Sequence, residues 1–141
     1  MKTVFVDTGY WVALLNPQDD LHDRAIEASR ALGKVRLVTT EMVLDELLAA
    51  LSKVPVRGFV IRGVDAIRND PNTEVVPQTS IQFREAFDAY RRMADKEWSL
   101  TDCASFALMG ERHLSEALAH DHHFEQAGFR ALLRHPAGTR P

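Results

Sequence analysis

Lys2-Thr3-Val4-Phe5-Val6-Asp7-Thr8-Gly9 is the stretch from which the rest of the chain can be read. Residues 3–6 are β-favouring and nearly continuously apolar, and they run directly into an aspartate, a threonine and a glycine. A strand that is apolar on both sides belongs in the centre of a parallel sheet covered by helices on both faces. Asp7 then stands at the carboxyl end of that strand, the edge at which open α/β sheets bind ligands. The competing reading makes Asp7 the N-cap of a helix beginning near Gly9. That reading weakens if other carboxylates arrive at the same edge.

The chain has 141 residues, enough for one domain with a core of several helices and strands. Residues 1–134 are expected to form that domain and residues 135–141 a frayed tail. Hydrophobic content of 45% and charged content of 26% are those of an ordinary globular protein. A single cysteine, Cys103, excludes an internal disulfide and a cysteine zinc site. It is expected to be a small buried filler and suits a reducing compartment. No basic segment followed by an apolar one opens the sequence, and no apolar run reaches about 18 residues, so a cytoplasmic protein is expected. A net charge of −3 argues against a general basic nucleic-acid footprint. It leaves room for local contact, because clustered acids that hold a metal lower the total while their rim stays basic.

Strand and helix signals alternate along the chain. Tyr10–Leu15 reads as a short buried helix ended by Asn16-Pro17, and Asp19 or Asp20 as the cap of a second helix through Ala25, Ile26, Ala28 and Leu32. His22 in its first turn reads as a packed or solvated histidine. Val35–Thr39 is a second strand, and Thr39 or Thr40 caps a helix over about 41–53. That helix carries the stripe Val43, Leu44, Leu47, Leu48 and Leu51. On its wheel Glu41 borders the stripe while Asp45 and Glu46 lie beyond its two edges, and the wheel does not choose among them. Pro55 opens another helix, through Ile67. Thr73–Pro77 is a brief strand towards an edge. Ser80–Lys96 is a helix whose Phe83, Phe87, Tyr90 and Ala94 are expected to form a core stripe.

Trp98 to Met109 is apolar nearly all round after its start, which marks a buried helix. Ser99-Leu100-Thr101-Asp102 has the form of a capping box. Even so, a carboxylate in the first turn of so buried a helix needs hydrogen-bond partners or a cation. Glu116–Ala119 is a fourth strand, and Asp121 at its exit repeats the situation of Asp7. His120, His122 and His123 are expected to fan outward, too far apart to share one zinc ion. Phe129–Leu133 reads as a last short strand.

The alternation predicts an α/β fold with a parallel sheet. Four acids, Asp7, Glu46, Asp102 and Asp121, can reach one edge of it. Together they would repel unless a divalent cation neutralised them. Carboxylate-only ligation selects a hard ion, magnesium or manganese.

Val6-Asp7-Thr8, Val43-Leu44-Asp45-Glu46-Leu47, Ser99-Leu100-Thr101-Asp102-Cys103 and Asp121-His122-His123-Phe124 with Ala127-Gly128-Phe129, in that order, resemble the PIN domain. The likeness is greatest to the VapC-type toxins of toxin–antitoxin pairs, and it covers essentially the whole chain. It implies a three-layer α/β/α fold on a four- or five-stranded parallel sheet. It also implies a metal-dependent endoribonuclease, a cognate antitoxin and a homodimer. The resemblance carries the acidic, metal-holding roles onto Asp7, Glu46, Asp102 and Asp121, which selects Glu46 on its helix, and supporting hydroxyl roles onto Thr8 and Ser99. One departure stands out: Ala119 lies where the family usually has threonine or serine, two residues before the fourth acid. The implied reaction is hydrolysis of a phosphodiester by a metal-activated water.

Two other functions share features with this sequence. A phosphoacceptor receiver domain also clusters acids with magnesium at a sheet edge, but it needs an acid pair after its first strand and a late lysine. Here Asp7 stands alone, and no lysine follows Lys96. A PIN-like module that binds RNA or protein without catalysis is the other, and the full set of four acids argues against it.

Overall fold

The computed structural model describes residues 1–135. The described residues form a five-stranded parallel sheet in the order β3-β2-β1-β4-β5, made of β1 (Thr3–Val6), β2 (Arg36–Thr40), β3 (Thr73–Val76), β4 (Glu116–Leu118) and β5 (Arg130–Ala131). Helices α1 (Thr8–Leu15) and α2 (His22–Leu32) connect β1 to β2, and α3 (Glu41–Ala50) and α4 (Val54–Asn69) connect β2 to β3. Helices α5 (Ser80–Arg92) and α6 (Leu100–Glu111) carry the chain back across the sheet to β4, and α7 (His122–Gln126) leads to β5. Right-handed crossovers in opposite directions put the two groups of helices on opposite faces, which gives the three layers.

The central position of β1 follows from its composition. Val4, Phe5 and Val6 are fully buried, with Phe5 paired to Val38 on one side and to Ala117 on the other. The strand order reverses between β1 and β4, and there the Asp7 amide still donates to the Leu118 carbonyl at 3.1 Å. This is the topological switch point, where the strand ends diverge and leave a crevice. Below it, the Phe124 ring packs edge-on against Phe106 at 4.9 Å and lies 6.3 Å from Phe5. Phe124 has no exposed surface. Phe124→Ala is expected to cost about 3–5 kcal/mol, the range for deleting a buried aromatic ring, measured by chemical denaturation.

Several expected boundaries differ. The helix expected over 41–53 stops at Ala50, because Ser52 and Lys53 turn the chain into α4. The helix expected over 80–96 ends at Arg92. The last strand shrinks to Arg130–Ala131 and continues as a 3-10 turn. Neither Asp19 nor Asp20 caps α2: Leu21 holds that position, and Asp19 Oδ1 accepts the Leu21 amide at 2.9 Å. Thr40 does cap α3, accepting from the Val43 amide at 3.1 Å. His22 is tied down, its Nδ1 2.7 Å from the Ala13 carbonyl oxygen. Of the expected tail, His135 lies 3.0 Å from Glu125 Oε2, and residues 136–141 lie outside the described residues.

The largest correction concerns α5. Phe83, Phe87 and Tyr90 are not core residues; between 41% and 52% of their surface is exposed. Its buried residue is Ala86, packed with Ala104 and Cys103 of α6 and flanked by Ala89. Small residues on both helices let them approach closely, so the apolar stripe that dominates the helical wheel turns aside. Its rings stack edge to face on one another at 6.1 and 6.5 Å, and the Arg91 guanidinium lies 4.9 Å from the Phe87 ring centre.

Candidate active site

At the carboxyl edge of β1 and β4 an open cleft of roughly 760 Å3 is lined by Asp7, Glu46, Asp102 and Asp121, together with Thr8 and Ser99. Each acid arrives from a different element. Asp7 leaves β1, Glu46 lies in the second turn of α3, Asp102 in the first turn of α6, and Asp121 at the exit of β4. The fold thus brings together all six residues singled out from the sequence.

Hydrogen bonds orient three of the four. Thr8 Oγ1 donates to Glu46 Oε1 at 2.8 Å, joining the start of α1 to α3. Ser99 and Asp102 form a complete capping box: the Asp102 amide donates to Ser99 Oγ and the Ser99 amide to Asp102 Oδ2, both at 3.0 Å. Asp121 caps α7, its Oδ1 accepting the His123 amide at 3.0 Å.

Asp7 is different. It occupies the N-cap position of α1 yet makes no side-chain capping hydrogen bond, so capping does not explain it. It is 8% exposed. Burial pushes its carboxyl up to about 7; the Thr8 amide pulls it back in part, and the charges of Asp102, Glu46 and Asp121 push it up again. A carboxyl raised first by burial and further by three neighbouring carboxylates marks a candidate functional site, one where a cation would relieve the repulsion. The three acids left open on the helix wheel separate here. Glu46 faces the cleft, Asp45 is exposed, and Glu41 Oε1 accepts the Gln78 amide at 2.7 Å in a structural contact.

Two of the three histidines depart from the expected fanning. The His122 and His123 rings do not fan apart but lie 4.4 Å centre to centre. One ligand atom from each of Asp121, His122 and His123 falls within 4.8 Å of the others. His123 turns inward, its side chain 14% exposed, and its Nδ1 is 3.2 Å from both Asp102 Oδ2 and Asp121 Oδ1. Glu97 and Arg134 also line the cleft and were not singled out. Arg134 is held at the rim by Glu125 Oε1 at 3.1 Å and the His120 carbonyl at 3.2 Å. Nothing local in the sequence marks either residue, because a lone charge before a cap or after a last strand has the pattern of ordinary surface.

Comparison with known proteins gives the family. The PIN domain pattern matches residues 4–130. The chain is 30% identical over 126 residues to the 23S rRNA-specific endonuclease VapC20 of Mycobacterium tuberculosis, covering 89% of this chain and 95% of that protein. The crystal structure of Mycobacterium tuberculosis VapC20, described as a Sarcin-Ricin loop cleaving toxin, superposes with a TM-score of 0.80 at 29% identity, with 89% of this chain and 95% of that one covered. VapBC2 from Rickettsia felis, solved with a DNA fragment from its promoter, covers 92% and 96% with a TM-score of 0.63; at 12% identity it shares the fold alone. With a match that runs from β1 to β5 on a sheet of this order, the chain belongs to the PIN domain family.

Proposed function

We propose that this protein is a divalent-metal-dependent endoribonuclease and the toxin of a toxin–antitoxin pair. The observation that carries the reading is the convergence of Asp7, Glu46, Asp102 and Asp121 on one cleft, with the buried Asp7 carboxyl raised to about 7 by burial and by the other three. The donors fit the cation: four carboxylates present hard oxygens suited to magnesium or manganese. Asp7, Glu46, Asp102 and Asp121 would hold it. When bound, it lowers the pKa of a water and offsets the charge that develops on the phosphate and the leaving oxygen.

The chain's own residues do the rest. Thr8 fixes the Glu46 carboxylate by its hydrogen bond, and Ser99 fixes Asp102 through the capping box. Arg134 at the rim offers a cation to a phosphate of the bound strand. The relatives named above make 23S ribosomal RNA the first substrate to test. An antitoxin on a separate chain and a second copy of this chain are the expected protein partners. Val54, Val56, Phe59 and Ile61 on α4, with the aromatic stripe on α5, supply the exposed apolar surface such partners need. No helix among the described residues is long and apolar enough to cross a membrane. With Cys103 free and buried, the cytoplasm is the proposed location.

Purified protein should cleave single-stranded RNA with magnesium or manganese, and chelation should abolish cleavage. Calcium should bind without supporting turnover, because its longer and looser coordination positions a water poorly. Undiminished cleavage in excess chelator would overturn the reading.

A further inference from the structure

Ala119 removes the hydroxyl that the resemblance leads one to expect beside Asp121, yet Asp121 does not stand alone. We propose that His123 is a positioning residue that ties α7 to α6 across the cleft and sets the direction in which Asp102 and Asp121 present their free oxygens. The proposal rests on the metal-dependent nuclease reading above and deepens it.

The geometry is specific. His123 Nδ1 lies between two carboxylates, 3.2 Å from Asp102 Oδ2 and 3.2 Å from Asp121 Oδ1. Both oxygens already accept a backbone amide, Asp102 Oδ2 from Ser99 and Asp121 Oδ1 from His123 itself, each at 3.0 Å. An oxygen that accepts a backbone amide is held in place, and an Nδ1–H shared between the two such oxygens locks both carboxylates together. It also leaves Asp102 Oδ1 and Asp121 Oδ2 as the atoms available to a cation. Two carboxylates this close to a common atom repel, so a donor between them lowers the cost of keeping both ionised. A partner that orients the ligands of a metal without ligating it is a common device, and its loss costs about 10–100-fold in metal affinity or activity.

The alternative is that His123 ligates the ion through its outer nitrogen, as its grouping with Asp121 and His122 allows. Two conservative variants separate these roles. The amide nitrogen of His123→Asn falls near the position of Nδ1, whereas that of His123→Gln falls near Nε2.

The experiment measures manganese binding to the full-length protein by calorimetry, with kcat and KM for RNA cleavage alongside, for wild type, His123→Asn, His123→Gln, His123→Ala and Asp7→Asn. His123→Ala and His123→Gln should weaken manganese binding by about 10–100-fold, while His123→Asn stays within about threefold of wild type. At saturating manganese the loss should fall on kcat with KM for RNA unchanged. A loss of fold alone would be visible in thermal melts, and it would not be rescued selectively by the asparagine. If His123→Gln kept affinity and His123→Asn lost it, His123 would be a ligand and the proposal would fall. It would also fall if all three His123 variants bound manganese like wild type while Asp7→Asn did not. Wild-type affinity in Asp7→Asn as well would instead overturn the metal-site reading on which the proposal rests.

Discussion

Asp7→Asn and Asp102→Asn are each expected to slow RNA cleavage by at least about a hundredfold, the scale of losing one charge-stabilising element from an active site. Both side chains are almost fully buried at the cleft, where a lost negative charge is not replaced by solvent. Glu46→Gln should be severe as well, because Glu46 faces the cleft and is held there by Thr8. Asp121→Asn should fall between, its side chain being 41% exposed and already engaged as the cap of α7. Glu41→Gln and Asp45→Asn serve as controls on the same helix and should leave the rate nearly unchanged, since Glu41 is committed to the Gln78 amide and Asp45 is exposed. Single-turnover cleavage at saturating metal checks the set. A sensitive Glu41 or Asp45 beside a silent Glu46 would move the α3 contribution to another residue.

The second large effect is on stability without metal. Asp7 has its folded carboxyl raised to about 7, against 3.8 in the absence of the fold. The sign follows from linkage: the folded state binds the proton more tightly, so its stability is greatest at low pH. Stability is then lost as pH rises from about 4 through 7, and it is flat above. A gap of about three pH units corresponds to roughly 4 kcal/mol at most. Asn does not titrate, so the difference in stability between wild type and Asp7→Asn in chelator isolates this group. The variant should gain on wild type steadily from pH 5 to pH 7. Added manganese should raise wild type and leave the variant largely unmoved, since a cation that binds only the folded protein stabilises it by about 2.7 kcal/mol at a hundred times its dissociation constant. Denaturant titrations at several pH values, with chelator and with manganese, carry the measurement. A constant deficit of the variant, whatever the pH and metal, would mean that Asp7 acts as a cap after all.

The sheet was legible because its signals are local. Val4, Phe5 and Val6 are apolar on both sides, and only the middle of a parallel sheet buries both faces of a strand. Thr73–Val76, next to Pro77, reads as an edge and pairs with β2 alone. A threonine at 39 or 40 and Ser99 read as caps because the capping pattern spans only a few residues, and Thr40 is the one that caps. Asp7 and Asp121 read as strand exits for the same reason, and their meeting follows from one non-local step, the reversal of strand order between β1 and β4.

What lay beyond the sequence are choices made by packing. The helical wheel left Glu41, Asp45 and Glu46 open, and resemblance alone favoured Glu46. The structure separates them through a hydrogen bond to Thr8, 38 positions away. The α5 aromatics formed the strongest stripe on their helix. Yet Ala86 and Ala89 lie against Ala104 and Cys103, because small surfaces pack more closely than rings. His123 read as one of three histidines fanning outward, since neither its inward rotation nor the Asp102 carboxylate waiting 21 residues earlier leaves a local trace. Periodicity and capping, which act within a turn or two, thus determined from sequence where the strands and helices lie and which acids stand at their ends. Which helix face is buried, which carboxylate turns into the cleft and which histidine bridges two of them were decided only by contacts between residues far apart in the chain.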